Sequence, residues 1–434
     1  MKSSQFQIIF LVIFIMLGVL GVLVFSGIIK IGKDNQKVSV AGQVTLWGTV
    51  PADTMRPIID DFNYVNRDLN IMYTPQDPDT FNQTLLESLA EGKGPDMFLL
   101  TDDLAKSYLN RIKAISYTRY PAATFKSNFA SAGEIFATPN AILALPLTID
   151  PLMLYYNRSI LNTNGIVYPP TDWNTLLEQV PELTKKDDDK QISQSTVALG
   201  QFSNITNAKD ILTTLFLQTG NPIVMRDAGG IYQGALIKDA SKKDQLVSVL
   251  QYYTSFANPL VSNYSWHKGL PNSTDYFVAE NMAFYFGYAS EFKGLVNKNP
   301  NLDLKIAEVP QIKNSKVKAT KARVTGVAIS AFSKQPDLAF TVANLMTTGN
   351  FVRDFAKATG TAPARRDLLA TQLADEYMPT VFKSALYAKS WFDPSPEDTN
   401  IIFRTMVESV LSNIARPESA ISRANGQLDI LLVK

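Results

Sequence analysis

Residues 44–103 decide the fold and read VTLWGTVPADTMRPIIDDFNYVNRDLNIMYTPQDPDTFNQTLLESLAEGKGPDMFLLTDD. Val44 and Leu46 alternate as in a strand, whereas the apolar residues from Met55 to Val65 recur at helical spacing. A second strand (69–73), a second helix (81–89) and a buried strand (97–100) follow. This order of elements predicts the start of a parallel α/β sheet.

Polar and aromatic residues follow the first and third of these predicted strands. Trp47 ends the first strand, and Thr101, Asp102 and Asp103 follow the third. Ligands of open α/β sheets bind beyond the carboxyl ends of the strands, so these positions predict a binding site. An aromatic ring can cover the apolar face of a hydroxyl-rich ligand while carboxylates accept its O–H donors. Alternatively, Trp47 packs in the core and the aspartates cap the next helix.

The N-terminal run Ile8–Ile29 contains no charged side chain. As a helix it would extend roughly 33 Å, enough to cross a hydrocarbon core of about 30 Å. We therefore predict a cytoplasmic tail (1–7), a transmembrane anchor (8–29) and a polar stalk (30–43). The alternative is a cleaved signal peptide, but the run exceeds the usual length of its apolar region.

Composition limits the function of the remaining chain. About 400 residues are too many for one hydrophobic core and predict two lobes. The formal net charge of +1 gives no reason to expect nucleic acid, and the absence of cysteine excludes both a disulfide and a lipidated cysteine. The lysine-rich stretch 305–323, which includes Lys321, is predicted to form a solvated hairpin, with a lipid- or partner-binding patch as the alternative.

Several segments of the body, taken in order, resemble the extracellular solute-binding proteins of ABC importers. The resemblance is to the sugar- and oligosaccharide-binding type related to maltose-binding protein, and it covers nearly the whole body. The segments are Gly94-Pro95-Asp96-Met97-Phe98, Leu145-Pro146 with Asp150 and 154–158, Pro170-Thr171-Asp172-Trp173, 277–288 ending in Phe286-Gly287-Tyr288, 325–330, and Thr361-Ala362-Pro363-Ala364-Arg365.

The resemblance implies a two-lobed periplasmic-binding-protein type II fold that follows the N-terminal transmembrane helix. Lobe 1 would comprise 44–150 plus 303–360, and lobe 2 would comprise 151–302 plus 361–434. A hinge would close the lobes around a carbohydrate, and an ABC permease would receive it. We expect a monomer, without cofactor or metal, attached to the cell membrane by a single pass with the large C-terminal domain outside. Lys30, Lys33 and Lys37 would oppose this orientation on charge counting alone.

The family's ligand contacts are carried over by position. Asp102 and Asp103 match polar contacts of the first lobe, and Asp150 matches an acidic contact at the hinge edge. Tyr288 lies beside the position where the family has a stacking Trp, so the sequence departs from the family pattern there. The resemblance further suggests Asn204 and Trp391, and Trp47 completes the predicted ligand-binding set, while Trp173 is predicted to pack in the core.

Two other classes of function are compatible with a carbohydrate cleft. A pair such as Asp102 and Asp150 could in principle hydrolyse a glycoside. The chain has one histidine and lacks a nucleophile elbow, a phosphate-binding glycine loop and a zinc-binding helix, so no catalytic residue is predicted. A tethered sensory or adhesion domain without a transporter is the other alternative.

Overall fold

The structure is a computed structural model that describes Met16 and residues 41–189, 191–227, 229–237, 243–371 and 375–433. The predicted tail, transmembrane anchor and most of the stalk lie outside the described residues. Among the described residues, no helix is both long and apolar enough to cross a membrane. The chain divides into two units, Met1–Gly42 and Gln43–Lys434, and the following description concerns the second.

The predicted α/β unit at the start of the body is confirmed. The strands β1 (Gly42–Gly48), β2 (Leu69–Pro75) and β3 (Met97–Thr101) lie in the order β2-β1-β3, with β1 and β3 parallel. The helices α1 (Ala52–Val65) and α2 (Phe81–Ala90) connect them. Both helices bury the apolar face that the spacing indicates, and β3 is buried because the sheet is covered on both sides.

The long strand β6 (Ala144–Asn157) connects the two halves of the main sheet. Its first part pairs antiparallel with β13 (Thr320–Ile329), which pairs on its other side with β3. Its second part pairs with β11 (Met282–Tyr288) and with β12 (Leu304–Ala307). The sheet therefore continues from β3 through β13 and β6 to β11, and β8 (Ile192–Val197) and β7 (Lys185–Lys186) complete it.

Short strands and helices complete the described body. The remaining strands are β4 (Ile115–Ser116), β5 (Ala141–Ile142), β9 (Val224–Arg226), β10 (Tyr232–Gly234), β14 (Ala362–Pro363) and β15 (Ala388–Lys389). The remaining helices are α3 (Ala122–Asn128), α4 (Arg158–Thr163), α5 (Trp173–Leu183), α6 (Ala208–Gln218), α7 (Lys243–Ser255), α8 (Ser273–Val278), α9 (Phe292–Lys298), α10 (Pro336–Met346), α11 (Gly349–Thr359), α12 (Arg366–Leu369), α13 (Met378–Tyr387), α14 (Pro396–Leu411) and α15 (Pro417–Val433).

Trp173, which was predicted to pack in the core, is buried at the start of α5. Asp172 caps this helix by accepting hydrogen bonds from the backbone N–H groups of Asn174 and Thr175. The indole Nε1 donates to Oε1 of buried Gln218 at 2.6 Å. Gln218 in turn donates to backbone carbonyls near β13, so this polar contact ties α5 and α6 to the sheet.

Candidate functional site

A charged cavity of about 200 Å³ lies where β3 and β11 end and β13 begins. Side chains from distant parts of the chain meet there. The lining acids are Asp102, Asp103, Asp210 and Asp393, the lining cations are Lys209, Lys321 and Arg323, and the other lining residues are Tyr288, Trp391 and Pro396. The two largest of several larger and more open depressions on the described surface lie beside Trp173 and beside His267. Neither is at the carboxyl end of β3.

Asp102 forms a buried ion pair with Lys321. It begins the 3-10 turn Asp102–Leu104 after β3, and its Oδ2 lies 3.0 Å from Lys321 Nζ. The Val324 backbone N–H donates to Asp102 Oδ1 at 2.8 Å, and the Ser390 hydroxyl donates to Oδ2. Both side chains of the pair are less than 10 % exposed. Asp102 therefore connects β3 to β13 and to the segment before α14. Both of its carboxylate oxygens already accept hydrogen bonds from the protein.

Lys209 and Asp393 form a second ion pair, and other protein groups hydrogen-bond to both side chains. Lys209 Nζ lies 2.9 Å from Asp393 Oδ2 and 3.1 Å from the Thr399 hydroxyl oxygen. The Thr399 hydroxyl and the Ser395 backbone N–H donate to the Asp393 carboxylate. Lys209 also lies 6.0 Å from the centre of the Trp391 ring. These contacts join the start of α6 to the segment before α14.

Two lining groups have polar atoms that remain unpaired. Asp103 Oδ1 and the Tyr288 hydroxyl are buried and have no hydrogen-bond partner among the described residues. Burial raises the pKa of Asp103, the neighbouring Asp102 charge raises it further, and a hydrogen bond from Thr101 opposes them. Such atoms are costly unless a ligand or water pairs with them.

The guanidinium of Arg323 lies over the ring of Tyr288, 3.7 Å from its centre. Tyr288 itself is fully buried, at 0 % exposure, whereas Arg323 is exposed. No hydrogen bond of the Arg323 side chain is found within the described residues. Its N–H groups are therefore available to an acceptor in the cavity.

Asp150 lies on β6 directly opposite Arg323 on β13. Its Oδ1 accepts from the Ser290 backbone N–H at 3.0 Å and its Oδ2 from the Ser290 hydroxyl at 2.6 Å. Burial raises the pKa of Asp150 to about 6, against hydrogen bonds from Ser290 and the charge of Arg323, which lower it. Asp150 does not line the cavity, although it lies next to a residue that does.

Four of the predicted ligand residues line this cavity: Asp102, Asp103, Tyr288 and Trp391. Trp47 is half-buried at the end of β1 and does not line it. Asn204 holds a loop, because its Nδ2 donates to the His267 and Leu270 carbonyls and its Oδ1 accepts from buried Trp266.

Sequence reasoning missed Lys209, Asp210, Arg323 and Asp393, and it assigned Lys321 to a solvated hairpin. That assignment is wrong for Lys321, which is 6 % exposed, although Lys313, Lys316 and Lys318 are exposed. One signal was present: Lys321 and Arg323 are the two charged residues of this strand and are two positions apart, a spacing that puts both on one face.

The described residues contain no cluster of three or more His, Cys, Asp or Glu side chains that could hold a metal ion.

Comparisons with known proteins agree with this architecture. The superpositions with three solved structures cover 90 to 91 % of this chain and 98 to 99 % of the other chain. They are a cyclo/maltodextrin-binding protein complexed with maltotetraose (16 % identity, TM-score 0.71), a cyclic α-maltosyl-1,6-maltose binding protein from Arthrobacter globiformis (15 %, 0.74) and a maltose-binding periplasmic protein from Listeria monocytogenes in complex with maltose (18 %, 0.69). At these identities the likeness shows a shared fold.

A comparison with curated protein sequences gives no significant match. The family model described as "bacterial extracellular solute-binding protein" matches residues 57–380, which include most of the sheet and seven of the ten cavity residues. That family consists of binding proteins rather than enzymes. The chain belongs to the bacterial extracellular solute-binding protein family.

Proposed function

We propose that this protein captures a sugar or a related hydroxyl-rich solute in the charged cavity and delivers it to an ABC permease. The observation that carries the proposal is the origin of the lining residues. Asp102, Asp103, Lys321 and Arg323 belong to the lobe 1 predicted from the sequence. Lys209, Asp210, Tyr288, Trp391, Asp393 and Pro396 belong to the predicted lobe 2. A ligand between them would contact both lobes, as a hinge mechanism requires.

The chemistry of the cavity supports a hydroxylated ligand. Asp103 and Asp210 offer carboxylate acceptors for O–H groups, and Arg323 offers donors to hydroxyl oxygens. Trp391 and Tyr288 place aromatic rings in the wall of the cavity, although Arg323 already covers one face of the Tyr288 ring. The similar solved structures include complexes with maltotetraose and with maltose, which supports a carbohydrate as the ligand class here.

The division into lobes is part of the proposal. Strand β6 would carry the chain from lobe 1 to lobe 2 near Asp150. Leu304–Ala307 pair with Leu154–Asn157 of β6, beyond that point, so we propose that the return to lobe 1 follows β12. Closure would then bend the chain at β6 and in the connection to β13.

We further propose that residues 8–29 anchor the protein in the membrane and that the body is an extracellular monomer. The uncharged apolar run and the extracellular family support this topology. Protease added to intact spheroplasts should then remove the body. Protection of the body, or a mature N-terminus near Gly27, would contradict it.

The function itself is tested with full-length protein purified in detergent and a panel of monosaccharides and oligosaccharides. Ligand that binds only the folded state raises its stability, by about 2.7 kcal/mol at 100 times the dissociation constant. We expect at least one carbohydrate to raise the melting temperature and to be recovered unchanged. Turnover of the sugar would instead support a hydrolase, and saturable binding of a sugar that no ABC permease of the cell takes up would support the sensory alternative.

A further inference from the structure

The lining charges of the cavity do not balance. Four carboxylates face three cations. Lys321 pairs with Asp102 at 3.0 Å, and Lys209 pairs with Asp393 at 2.9 Å. Arg323 interacts electrostatically with Asp210 and also with Asp150 behind the wall. When all four carboxylates are ionised, the excess is one negative charge, and the carboxylate left over is that of Asp103.

The surroundings of Asp103 favour the binding of a cationic ligand group. No lysine, arginine or histidine lies within ion-pair distance of it among the described residues, although Lys321 acts on it electrostatically from its pair with Asp102. Its buried Oδ1 has no hydrogen-bond partner there. Its neighbour Asp102 carries a like charge, which makes an ionised Asp103 more costly. An acidic residue in this state is stabilised most by a group that brings both a positive charge and N–H donors.

Tyr288 supplies a second, independent observation. Its side chain is fully buried and lines the same cavity, and its hydroxyl has no partner within the described part of the chain. A phenolic oxygen can accept one hydrogen bond while it donates another. An ammonium group has three N–H donors, so it can donate one hydrogen bond to Asp103 Oδ1 and another to the Tyr288 oxygen. A ligand hydroxyl has one proton and can donate to only one of them.

The cavity also limits the size of the ligand. At about 200 Å³ it lies below the roughly 300 to 1,000 Å³ that is usual for drug-sized ligands. A single sugar ring is a suitable occupant, whereas a longer oligosaccharide would need a wider cleft.

We propose, on the basis of the function proposed above, that the solute is a polyhydroxylated amine of monosaccharide size, such as an amino sugar, whose ammonium group binds between Asp103 and Tyr288. The ring hydroxyls then face Asp210 and Arg323. A ligand with a net negative charge is disfavoured, because it would meet a cavity that is already negative in excess.

The experiment compares three amino sugars (glucosamine, galactosamine and mannosamine) with their neutral parents and their N-acetyl derivatives. Full-length protein in detergent is titrated by calorimetry at a pH at which the amines are protonated. We expect at least one amino sugar to bind tenfold or more tightly than both its parent and its N-acetyl form. Equal or tighter binding of the neutral sugars would overturn this inference and leave the proposed function intact. If no member of this panel binds, the amine inference fails, and the wider panel of monosaccharides and oligosaccharides decides the proposed function separately.

Two matched variants locate the charge effect. Asp103→Asn keeps the shape of the side chain and removes its charge, so the tenfold preference for the amino sugar over its neutral parent should disappear. Asp60→Asn makes the same change on the exposed face of α1 and should leave the preference unchanged. A preference that survives in Asp103→Asn, with a melting curve like that of the original protein, would show that Asp103 does not bind the amine.

Discussion

Replacing Asp102 by asparagine would leave Lys321 as a buried cation without its partner. The two side chains are 3 % and 8 % exposed, so water cannot readily take the place of the carboxylate. Breaking a buried ion pair by removing one partner typically costs about 3 to 5 kcal/mol. The amide oxygen can still accept from the Val324 N–H, so we expect a loss near the lower limit, about 3 kcal/mol.

This loss can be expressed as a melting temperature. At roughly 2.1 cal/mol/K per residue, a folded body of about 390 residues has an unfolding entropy near 0.8 kcal/mol/K. A loss of about 3 kcal/mol then lowers the melting temperature by about 4 °C. Thermal melts and urea titrations of the full-length protein at neutral pH would measure this change.

Asp103→Asn is the matched control, because it makes the same chemical change one residue along the chain. Asp103 has no ion pair to lose among the described residues, and the change removes a like charge beside Asp102. Its unfolding free energy should change by less than about 1 kcal/mol. A second check is Asp102→Asn combined with Lys321→Met, which removes both charges and should recover part of the loss. The reasoning is refuted if Asp102→Asn melts like the original protein or if Asp103→Asn costs as much.

Three further predictions follow from other residues of the site and the core. The folded-state pKa of Asp150 is raised from 3.8 to about 6, so its contribution to stability is greatest below pH 4 and falls by up to about 3 kcal/mol as the pH rises past 6. Asp150→Asn should therefore gain stability relative to the original protein as the pH rises from about 4 to about 7 in urea titrations, and parallel pH curves would contradict this. Tyr288→Phe removes a hydroxyl without a described partner, so its melting temperature should not fall while ligand affinity drops by about 0.5 to 1.5 kcal/mol; exposed Tyr168→Phe is the control and should change neither. Trp173→Ala should lose about 3 to 5 kcal/mol of stability, and the idea of a packing role fails if its urea midpoint is unchanged.

The sequence predicted the local part of the fold well, because that part depends on contacts between neighbours in the chain. The alternation at Val44 and Leu46 and the helical spacing from Met55 to Val65 correspond to β1 and α1. The ends of β1 and β3 likewise follow from the pattern. The pairing of β6 with four later strands depends on residues more than a hundred positions apart, and no local pattern in the sequence indicates it.

The candidate site was harder to predict for the same physical reason. Asp102 and Asp103 follow a predicted strand, so their position at the sheet edge could be read directly. Lys321 lies in a lysine-rich stretch, and nothing local indicates that its partner is a carboxylate 219 residues away. Asn204 is also ambiguous from the sequence. A polar side chain in a loop can contact a ligand, or it can stabilise the loop by hydrogen bonds to backbone carbonyls, as Asn204 does here.

The membrane anchor and the division into lobes stay predictions. The central claim is that a solute binds in the charged cavity, because the proposed transport function and the proposed ligand class both depend on it.

Calorimetric titration of the full-length protein with the carbohydrate panel tests that claim most directly. The account predicts saturable binding of at least one sugar-type solute with one site per chain, and a loss of that binding when Arg323 and Asp210 are both replaced by alanine in a protein that still melts cooperatively. The absence of binding across the panel, or binding that the double replacement leaves unchanged, would contradict it.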